Sequence, residues 1–400
     1  MTTVANSTPR LMTAEALERI SAIAQAPLRH GHHVRILRDG ALAFPSMLAV
    51  IRAAKQSVCF ENFIFAHDGT GEQFAAALAR AHQRGADVRV LYDPVGTWLV
   101  RGGSIRRHLK QHDVKARAFR PLSMAAPWSW FHLRHRDHRK LLIADQLAAV
   151  VGGICIADHW APAEHGGGGW RDTAVLVRGP AVADLQLAFE RMWRRALGPV
   201  KETFTTLLQA QALTLPPPRG DARVIVVGDR PRTQRVAALY EWLADNAESS
   251  IEISDAYFVA PERVLNALIN AARRGVAVSL LLPGSNNHPI AAAAARRIYQ
   301  PLLEAGARIH EWNGVMLHAK TLVVDQAISM IGSSNLDPLS LHRNYELNVL
   351  IAEERCGRTM SSIFEGDVAR ATEVRLEEWR NRPWRYRVAE TLAGLFGWNL

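Results

Sequence analysis

Two copies of one short pattern hold the side chains of this 400-residue chain that are best suited to chemistry. In each copy a histidine is followed two residues later by a lysine, then by an aspartate and a glycine at equal spacings. The copies lie 180 residues apart and consist of His138, Lys140, Asp145 and Gly152, and of His318, Lys320, Asp325 and Gly332. Two imidazoles, each with an ammonium group nearby, suit nucleophilic and acid–base attack on a phosphodiester.

Each side chain of the pattern suits one role in this chemistry. One imidazole would attack phosphorus, and the other would protonate the leaving alcohol and then deprotonate the incoming one. The lysines would hold the non-bridging oxygens. The alternative, surface histidines beside solvated lysines, requires the same pattern to arise twice by accident. Only six of the 48 basic residues are lysines, so a lysine at both motif positions argues against accident.

A strand would place each histidine and its lysine on one face, because alternate residues of a strand project to the same side. The apolar run after each lysine predicts a buried strand, and the Asp-Gln pairs at 145–146 and 325–326 predict the turn of a hairpin. Asp145 and Asp325 complete the predicted catalytic set, but they fall at the far end of the strand. We therefore expect them to act as electrostatic and turn supports.

Each predicted hairpin is followed by an acidic residue, Asp172 in the first repeat and Glu346 in the second. An acid beside an imidazole fixes its tautomer and stabilises the imidazolium. If the halves face each other, each acid could serve the histidine of the opposite half. A solvated carboxylate at a strand start is the alternative. Asn335 could donate a further hydrogen bond to the non-bridging oxygens that the lysines hold. Ser333 and its counterpart Gly153, beside the motif glycines, complete the set of supporting residues.

Strand and helix patterns alternate as βαβαβ in each repeat and predict an α/β fold with a largely parallel sheet. The repeats give the domain boundaries. We expect a helical appendage over 1–30, a first half over 31–214, a linker over 215–221, a second half over 222–380 and a basic, amphipathic tail over 381–400.

Composition limits the partners. A formal charge of +10 favours an anionic partner, either nucleic acid or an acidic membrane surface. Three scattered cysteines predict neither a disulfide framework nor a metal site, and no motif calls for a cofactor. No apolar run reaches the roughly 18 residues of a membrane span, and the N-terminus lacks the blocks of a signal peptide. We expect a soluble or peripheral protein made in the cytoplasm.

The doubled pattern resembles the signature of the phospholipase D superfamily, and the resemblance covers nearly the whole chain from about residue 31. Further stretches resemble bacterial cardiolipin synthases of the short type without membrane spans: ENFIF at 61–65, WRDTAV at 170–175, RGPAVAD at 178–184 and GSSNLDPLS at 332–340. The resemblance implies two phospholipase D-like α/β/α sandwich halves related by a pseudo-twofold axis. The active site would lie at their interface.

The resemblance also implies an activity. His138 would be the nucleophile and His318 the general acid and base of a phosphatidyltransferase. A phosphatidyl group would pass from phosphatidylglycerol to His138, releasing glycerol, and then to the hydroxyl of a second lipid to give cardiolipin. Water as acceptor would give hydrolysis. The implied partners are anionic phospholipids at the cytoplasmic face of the inner membrane. Two motifs in one chain remove the need for an oligomer.

One motif position departs from the family. Cys155 stands where the family usually has an asparagine, and a thiol is a poor substitute for an amide donor. This predicts an asymmetric phosphate pocket and puts the acceptor in question. A small packing residue is the main interpretation of Cys155, and a redox sensor is the alternative.

Aromatic residues suggest how the chain meets a membrane. Trp128, Trp130 and Phe131 stand next to a basic cluster, and the segment 388–400 has helical apolar spacing. Packing on the core is the alternative for both stretches. Two other functions stay open. A phospholipase D-type nuclease would use the same catalytic residues, but these aromatics do not line a basic groove. A catalytically inert lipid-binding module is disfavoured because both motifs are intact.

Overall fold

A computed structural model of the chain describes residues 9–99, 105–122, 133, 135–197, 217–285, 293 and 295–383. Its strands in this part of the chain are β1 (Arg29–Arg38), β2 (Ser57–Asn62), β3 (Asp87–Tyr92), β4 (Lys115–Ala118), β5 (Lys140–Ala144), β6 (Ala148–Gly152), β7 (Thr173–Arg178), β8 (Ala222–Asp229), β9 (Ser250–Asp255), β10 (Ala277–Pro283), β11 (Arg308–Trp312), β12 (Lys320–Val324), β13 (Ile328–Gly332), β14 (Glu346–Ala352) and β15 (Ala371–Glu373).

Helices cover the sheet on both sides. In the same ranges they are α1 (Ala14–Ala24), α2 (Asp39–Ala53), α3 (Gly69–Gln83), α4 (Pro94–Leu99), α5 (Ile105–Gln111), α6 (Ala181–Arg195), α7 (Arg235–Asn246), α8 (Glu262–Arg273), α9 (Tyr299–Glu304), α10 (Pro338–His342), α11 (Glu354–Val368) and α12 (Leu376–Arg380). Corresponding helices end alike: Gly85 follows α3 and Gly275 follows α8, at φ of 97° and 92°. A glycine adopts this left-handed conformation without a Cβ penalty.

The sheet shows the duplication directly. The first half has the order β7-β6-β5-β2-β3-β4, and the second half has the corresponding order β14-β13-β12-β9-β10-β11, with β15 at its edge. The strands β1 and β8 join the halves, since β1 pairs with β7 and β8, and β8 pairs with β14. The predicted α/β class with two similar halves is confirmed.

The prediction of a largely parallel sheet is wrong. Parallel pairing is found between β2 and β3, β3 and β4, β9 and β10, and β10 and β11. The motif hairpins and the strands after them pair antiparallel, as do β1 and β8. A tight hairpin can join only antiparallel strands, so the Asp-Gln turns themselves require a mixed sheet.

Three large apolar clusters form most of the core, and a smaller one contains Leu281 and Trp312. One fills the first half between the sheet and its helices, and another fills the second half, where Leu17 and Ile20 of α1 also pack. The third contains residues of both halves, among them Val151 and Val175 from the first and Ile331 and Val349 from the second. This shared cluster packs the two halves against each other, so the halves cannot separate without exposing it.

Candidate active site

Each motif histidine is hydrogen-bonded to an acid of the opposite half. His138 Nδ1 lies 3.0 Å from Oε1 and 3.1 Å from Oε2 of Glu346. His318 Nδ1 lies 2.7 Å from Oδ2 of Asp172. With the proton on Nδ1, each imidazole presents Nε2 as its free nitrogen. The two halves therefore complete each other's histidine–acid pair, as the sequence led us to expect.

Backbone contacts fix this crossed arrangement. The N–H of His138 donates to the carbonyl of Tyr345, 3.0 Å away, and the N–H of His318 donates to the carbonyl of Arg171, 2.7 Å away. Tyr345 and Arg171 directly precede the two acids. Each histidine is therefore tied through its backbone and its ring to the same segment of the other half.

The motif lysines begin the strands that the sequence predicts. Lys140 opens β5 and Lys320 opens β12, and both side chains are buried. Lys140 Nζ donates to the carbonyl of His138 over 2.5 Å, and Lys320 Nζ donates to the carbonyl of His318. Burial lowers the pKa of Lys320 to about 8. An ammonium group held this way has further protons to offer to a phosphate oxygen.

Both imidazoles are neutral at neutral pH. Burial lowers the pKa of His138 well below its usual value, and the charges of Lys140 and Lys320 act in the same direction. Burial and the same two lysines lower the pKa of His318 to about 3. Each lysine therefore acts on both histidines, as expected if the four groups share one site.

The two acids differ in charge state. Burial works to raise the pKa of Asp172, but the charge and hydrogen bond of His318 outweigh it, and the pKa lies below its usual value. Trp160 Nε1 and the N–H of Thr173 also donate to this carboxylate, over 2.8 and 2.7 Å. Burial raises the pKa of Glu346 to about 7, although Lys140 lowers it. Asp172 is therefore ionised, whereas Glu346 is near its titration midpoint at neutral pH.

Asp145 and Asp325 hold the hairpin turns. Asp145 accepts from the N–H groups of 55, 56 and 57 over 2.7–2.9 Å, and Asp325 accepts from those of 248, 249 and 250 over 2.7–3.0 Å. Both have a φ of 51°, as a tight hairpin turn requires. Their carboxylates bind the loop that leads into β2 or β9, at the opposite end of the motif strand from the histidine.

The residues after the motif glycines distinguish the half-sites. Ser333 Oγ donates to Glu346 Oε2 over 2.5 Å. At Gly153 a Cβ would lie 2.2 Å from Asp172 Oδ1, so only glycine lets Asp172 approach this closely. Asn335 is buried, and its Nδ2 reaches Ser340 Oγ only at 3.4 Å. Its counterpart Cys155 packs in the apolar core of the first half, where burial raises the pKa of the thiol.

Several site residues escaped the sequence analysis. The rings of Trp160 and Trp170 lie 5.1 and 5.7 Å from that of His318, and the ring of Phe63 lies 4.8 Å from that of His138. Asp93 forms a buried pair with Arg136, two residues before His138. Phe63 and Trp170 do stand inside the ENFIF and WRDTAV stretches, which was a usable signal. For Trp160 the sequence offers none.

Some predicted features lie elsewhere. Trp128, Trp130 and Phe131, and the tail from 384, fall outside the described residues. Among the helices that the structure describes, none is long and apolar enough to cross a bilayer. Within the same ranges, no group of three or more His, Cys, Asp or Glu side chains could hold a metal ion.

Comparison with known proteins agrees with this geometry. The family described as "Cardiolipin synthase, PLD-like domain" matches residues 47–193 and 242–368, one segment in each half. The chain is 33% identical over 377 residues to a cardiolipin synthase of Halalkalibacterium halodurans, covering 93% of this chain and 73% of that protein. It is 31% identical over 373 residues to one from Geobacillus kaustophilus, with the same coverage.

Two solved structures share the fold. A phosphatidylserine synthase from Haemophilus influenzae superposes with a TM-score of 0.71 at 13% identity, covering 95% of this chain and 96% of that one. A polyphosphate kinase from Porphyromonas gingivalis has a TM-score of 0.55 at 12% identity, covering 98% of this chain and 57% of that one. With two matched segments and relatives above 30% identity, the chain belongs to the cardiolipin synthase family of proteins with phospholipase D-like domains.

Proposed function

We propose that the protein is a cardiolipin-forming phosphatidyltransferase that uses phosphatidylglycerol as donor and acceptor. The observation that carries this proposal is the crossed pair of dyads. Two neutral imidazoles, each hydrogen-bonded to an acid of the other half, lie under the influence of the same two lysines. Family membership supplies the substrate class, since the relatives are cardiolipin synthases.

In the first step Nε2 of His138 attacks the phosphorus of phosphatidylglycerol. The new N–P bond forms as the bond between phosphorus and the glycerol oxygen breaks, and His318 gives a proton to that oxygen. Lys140 and Lys320 hold the non-bridging oxygens, with the amide of Asn335 as a further donor. Glycerol leaves, and a phosphatidyl group remains on His138.

In the second step the hydroxyl of another phosphatidylglycerol molecule gives its proton to His318. Its oxygen attacks phosphorus, the N–P bond breaks, and cardiolipin is released with His138 restored. Water in place of the lipid hydroxyl gives phosphatidic acid. Exclusion of water by the aromatic rings of Phe63, Trp160 and Trp170 would favour transfer over hydrolysis.

The acids support this division of roles. The general acid must pass through an imidazolium form, and the ionised Asp172 at 2.7 Å stabilises that form on His318. Burial and the charges of Lys320 and Lys140 lower the pKa of His318. A phosphodiester anion bound between the lysines offsets their charge, so substrate binding itself raises the pKa of His318 toward the range of a working acid.

The mouth of the site has features of a membrane contact. Trp98 in α4 is 79% exposed, and Val315, three residues before His318, is 67% exposed. Gly96 seats α4 on Phe63, because a Cβ there would lie 2.4 Å from the Phe63 carbonyl oxygen. An exposed tryptophan in α4 and the exposed arginines Arg106 and Arg107 of α5, the next helix along the chain, suit the interface of an anionic bilayer.

We place the protein on the cytoplasmic face of the inner membrane, as a peripheral protein bound to anionic lipid. We expect the protein to associate with the membrane fraction and to be released in high salt, because salt screens attraction to anionic headgroups. Retention in the salt-washed membrane contradicts a purely electrostatic attachment.

Incubation with phosphatidylglycerol vesicles and, separately, with single-stranded DNA tests the proposal. We expect cardiolipin and free glycerol in equal amounts from the vesicles and no nucleotide from the DNA. Phosphatidic acid without cardiolipin would make the protein a phospholipase. Nucleotide release would favour the nuclease that the sequence left open.

A further inference from the structure

Asn62 is a buried polar side chain that lacks a partner. It is the last residue of β2 and is 2% exposed. Neither its Nδ2 nor its Oδ1 has a hydrogen-bond partner among the residues that the structure describes. A buried amide without partners costs free energy, so such a group within an active site points to a ligand that satisfies it.

The position of Asn62 is beside the catalytic lysine of the first half. In the pairing of β2 with β5, Asn62 lies directly opposite Lys140. Directly opposed residues of an antiparallel pair project from the same face of the sheet. His138 precedes this strand by two residues, and its backbone carbonyl accepts a hydrogen bond from Lys140 Nζ. The amide of Asn62 is therefore on the side of the sheet that carries Lys140.

The second half is built differently at the same place. Asp255, the last residue of β9, lies opposite Lys320. Its carboxylate is satisfied, since it accepts from the N–H of Tyr257 at 2.8 Å and from that of Leu336 at 3.0 Å. The second half thus has an acid on the strand and an amide, Asn335, after the hairpin.

In the first half only the amide changes place, and no acid takes the position after the hairpin. The amide, Asn62, is on the strand, and the position after the hairpin holds Cys155. These residues are close in the fold, because the thiol of Cys155 interacts with the backbone of Ile64, two residues after Asn62. The N–H of Ile156 also donates to the carbonyl of Ile64 over 3.0 Å.

We infer that Asn62 binds the substrate, donating from Nδ2 to a non-bridging oxygen of the phosphodiester. It would supply in the first half the amide that Asn335 supplies in the second and that Cys155 cannot supply. This assignment rests on the proposed function and extends it, since it adds a phosphate-binding residue to the pocket.

Replacing Asn62 by leucine separates a substrate contact from a structural role. Leucine has nearly the same size and removes a buried amide that no described residue satisfies. We expect kcat/KM for phosphatidylglycerol to fall roughly 10- to 100-fold, as for loss of one hydrogen bond to a charged group, while Tm rises. Loss of activity with a lower Tm, or an unchanged kcat/KM, would overturn the assignment.

The matched control is Gln186→Leu, which removes a buried amide from α6. The Oε1 of Gln186 has no partner among the described residues either, but its Nε2 interacts with Cys59 and Glu190. We expect this variant to keep its kcat/KM. An equal loss in Gln186→Leu would show that any buried amide matters and would count against a substrate contact at 62.

The double variant Asn62→Leu/Cys155→Asn is the sharpest test. Moving the amide back to position 155 should recover about tenfold of the lost kcat/KM, and Cys155→Asn alone should leave kcat/KM within a few-fold of the parent. Failure of the inference is distinct from failure of the proposed function. If the unmodified protein does not transfer phosphatidyl groups, the function itself is wrong. If the unmodified protein transfers phosphatidyl groups and Asn62→Leu has the same kcat/KM, only the role of Asn62 is wrong.

Discussion

In both dyads Nδ1 of the histidine is hydrogen-bonded to an acid of the other half, but the dyads of His318 and His138 differ in the charge of that acid. Asp172 is held ionised by His318 and by donors from Trp160 and Thr173. Burial raises the pKa of Glu346 to about 7, and Ser333 is its donor. Because one acid carries a fixed charge and the other a conditional one, the two imidazoles are chemically distinct despite the identical motifs.

The difference explains how one duplicated motif could serve two roles. A general acid needs a permanent negative partner, which His318 has in Asp172. A nucleophile needs a neutral ring with a free Nε2, and His138 meets that need whenever Nδ1 is the protonated nitrogen. Substitutions of the two histidines and of the two acids either remove this difference or allow it to be measured.

The largest effect should come from the histidines. We expect His138→Ala and His318→Ala each to lower turnover by about 10⁴-fold or more, as for other catalytic groups that act as a unit. Reactions with fluorescent phosphatidylglycerol can be quenched and the labelled protein measured. Labelled protein should accumulate in His318→Ala and lose its label slowly, and none should form in His138→Ala. Label on His318 in the His138→Ala protein would exchange the two roles.

The acids should follow. We expect Asp172→Asn to lower kcat by about 10³-fold at pH 8, within the up to 10⁴-fold seen when an acid behind a catalytic histidine becomes an amide. Glu346→Gln should cost less, roughly 10²-fold, because the nucleophile His138 acts as a neutral ring, whereas the general acid His318 depends on its negative partner. Steady-state kinetics of both variants at one pH make the comparison. Equal losses would mean that the charge difference has no consequence for catalysis.

The pH dependence isolates the conditional charge. Since the pKa of Glu346 is raised to about 7, its carboxylate is present above that pH and lost below it. The charge that stabilises His138 as it becomes phosphorylated is lost with it. At pH 6 about a tenth of the protein would carry the charge, so single-turnover labelling should run about tenfold slower than at pH 8.5. Glu346→Gln should be flat over this range. A profile with the same inflection in that variant would assign the titration to another group.

Much of this site could be predicted from the sequence, because its constraints are local. The i, i+2 spacing of His138 and Lys140 determines their common face, and the Asp-Gln turns determine the hairpins. The hairpins are confirmed. The strands begin at the lysines, so each histidine lies just before its strand, and the common face stays a prediction. The crossed pairing of Asp172 and Glu346 needed only the assumption that the halves face each other. The domain boundaries and the roles of the site residues stay predictions.

What could not be predicted depends on contacts distant in the chain. The alternation of helices and strands indicated a parallel sheet, but β1 and β8 join the halves antiparallel, and no local pattern encodes that pairing. The hydrogen bond of Trp160 to Asp172 forms only because the chain between these two residues turns back on itself. The unpartnered amide of Asn62 is visible only when every neighbouring donor and acceptor has a position.

The smallest effect on activity should come from the pair of aspartates in which the halves agree. Asp145 and Asp325 each accept three backbone N–H groups at a tight turn. Each acts much as a helix cap does, so Asp145→Ala or Asp325→Ala should lower the free energy of unfolding by about 0.5–2 kcal/mol. We expect kcat to change by no more than a few-fold, because neither carboxylate is hydrogen-bonded to a catalytic group in the described residues. Denaturant unfolding and kinetics on the same samples measure both effects.

Asparagine is the matched control at these positions, because it tolerates the positive φ of 51° and keeps one accepting oxygen. Asp145→Asn should therefore cost less stability than Asp145→Ala. Burial works to raise the pKa of Asp145, but its backbone hydrogen bonds outweigh this effect, and the pKa is lowered. The stabilising charge is therefore present at neutral pH and lost in acid, so the difference in stability between the parent protein and the Asp145→Asn variant should vanish as the pH falls below about 4. If Asp145→Ala instead abolished turnover at unchanged stability, the aspartate would belong with the histidines in the chemistry, and the division between turn supports and reacting groups would be wrong.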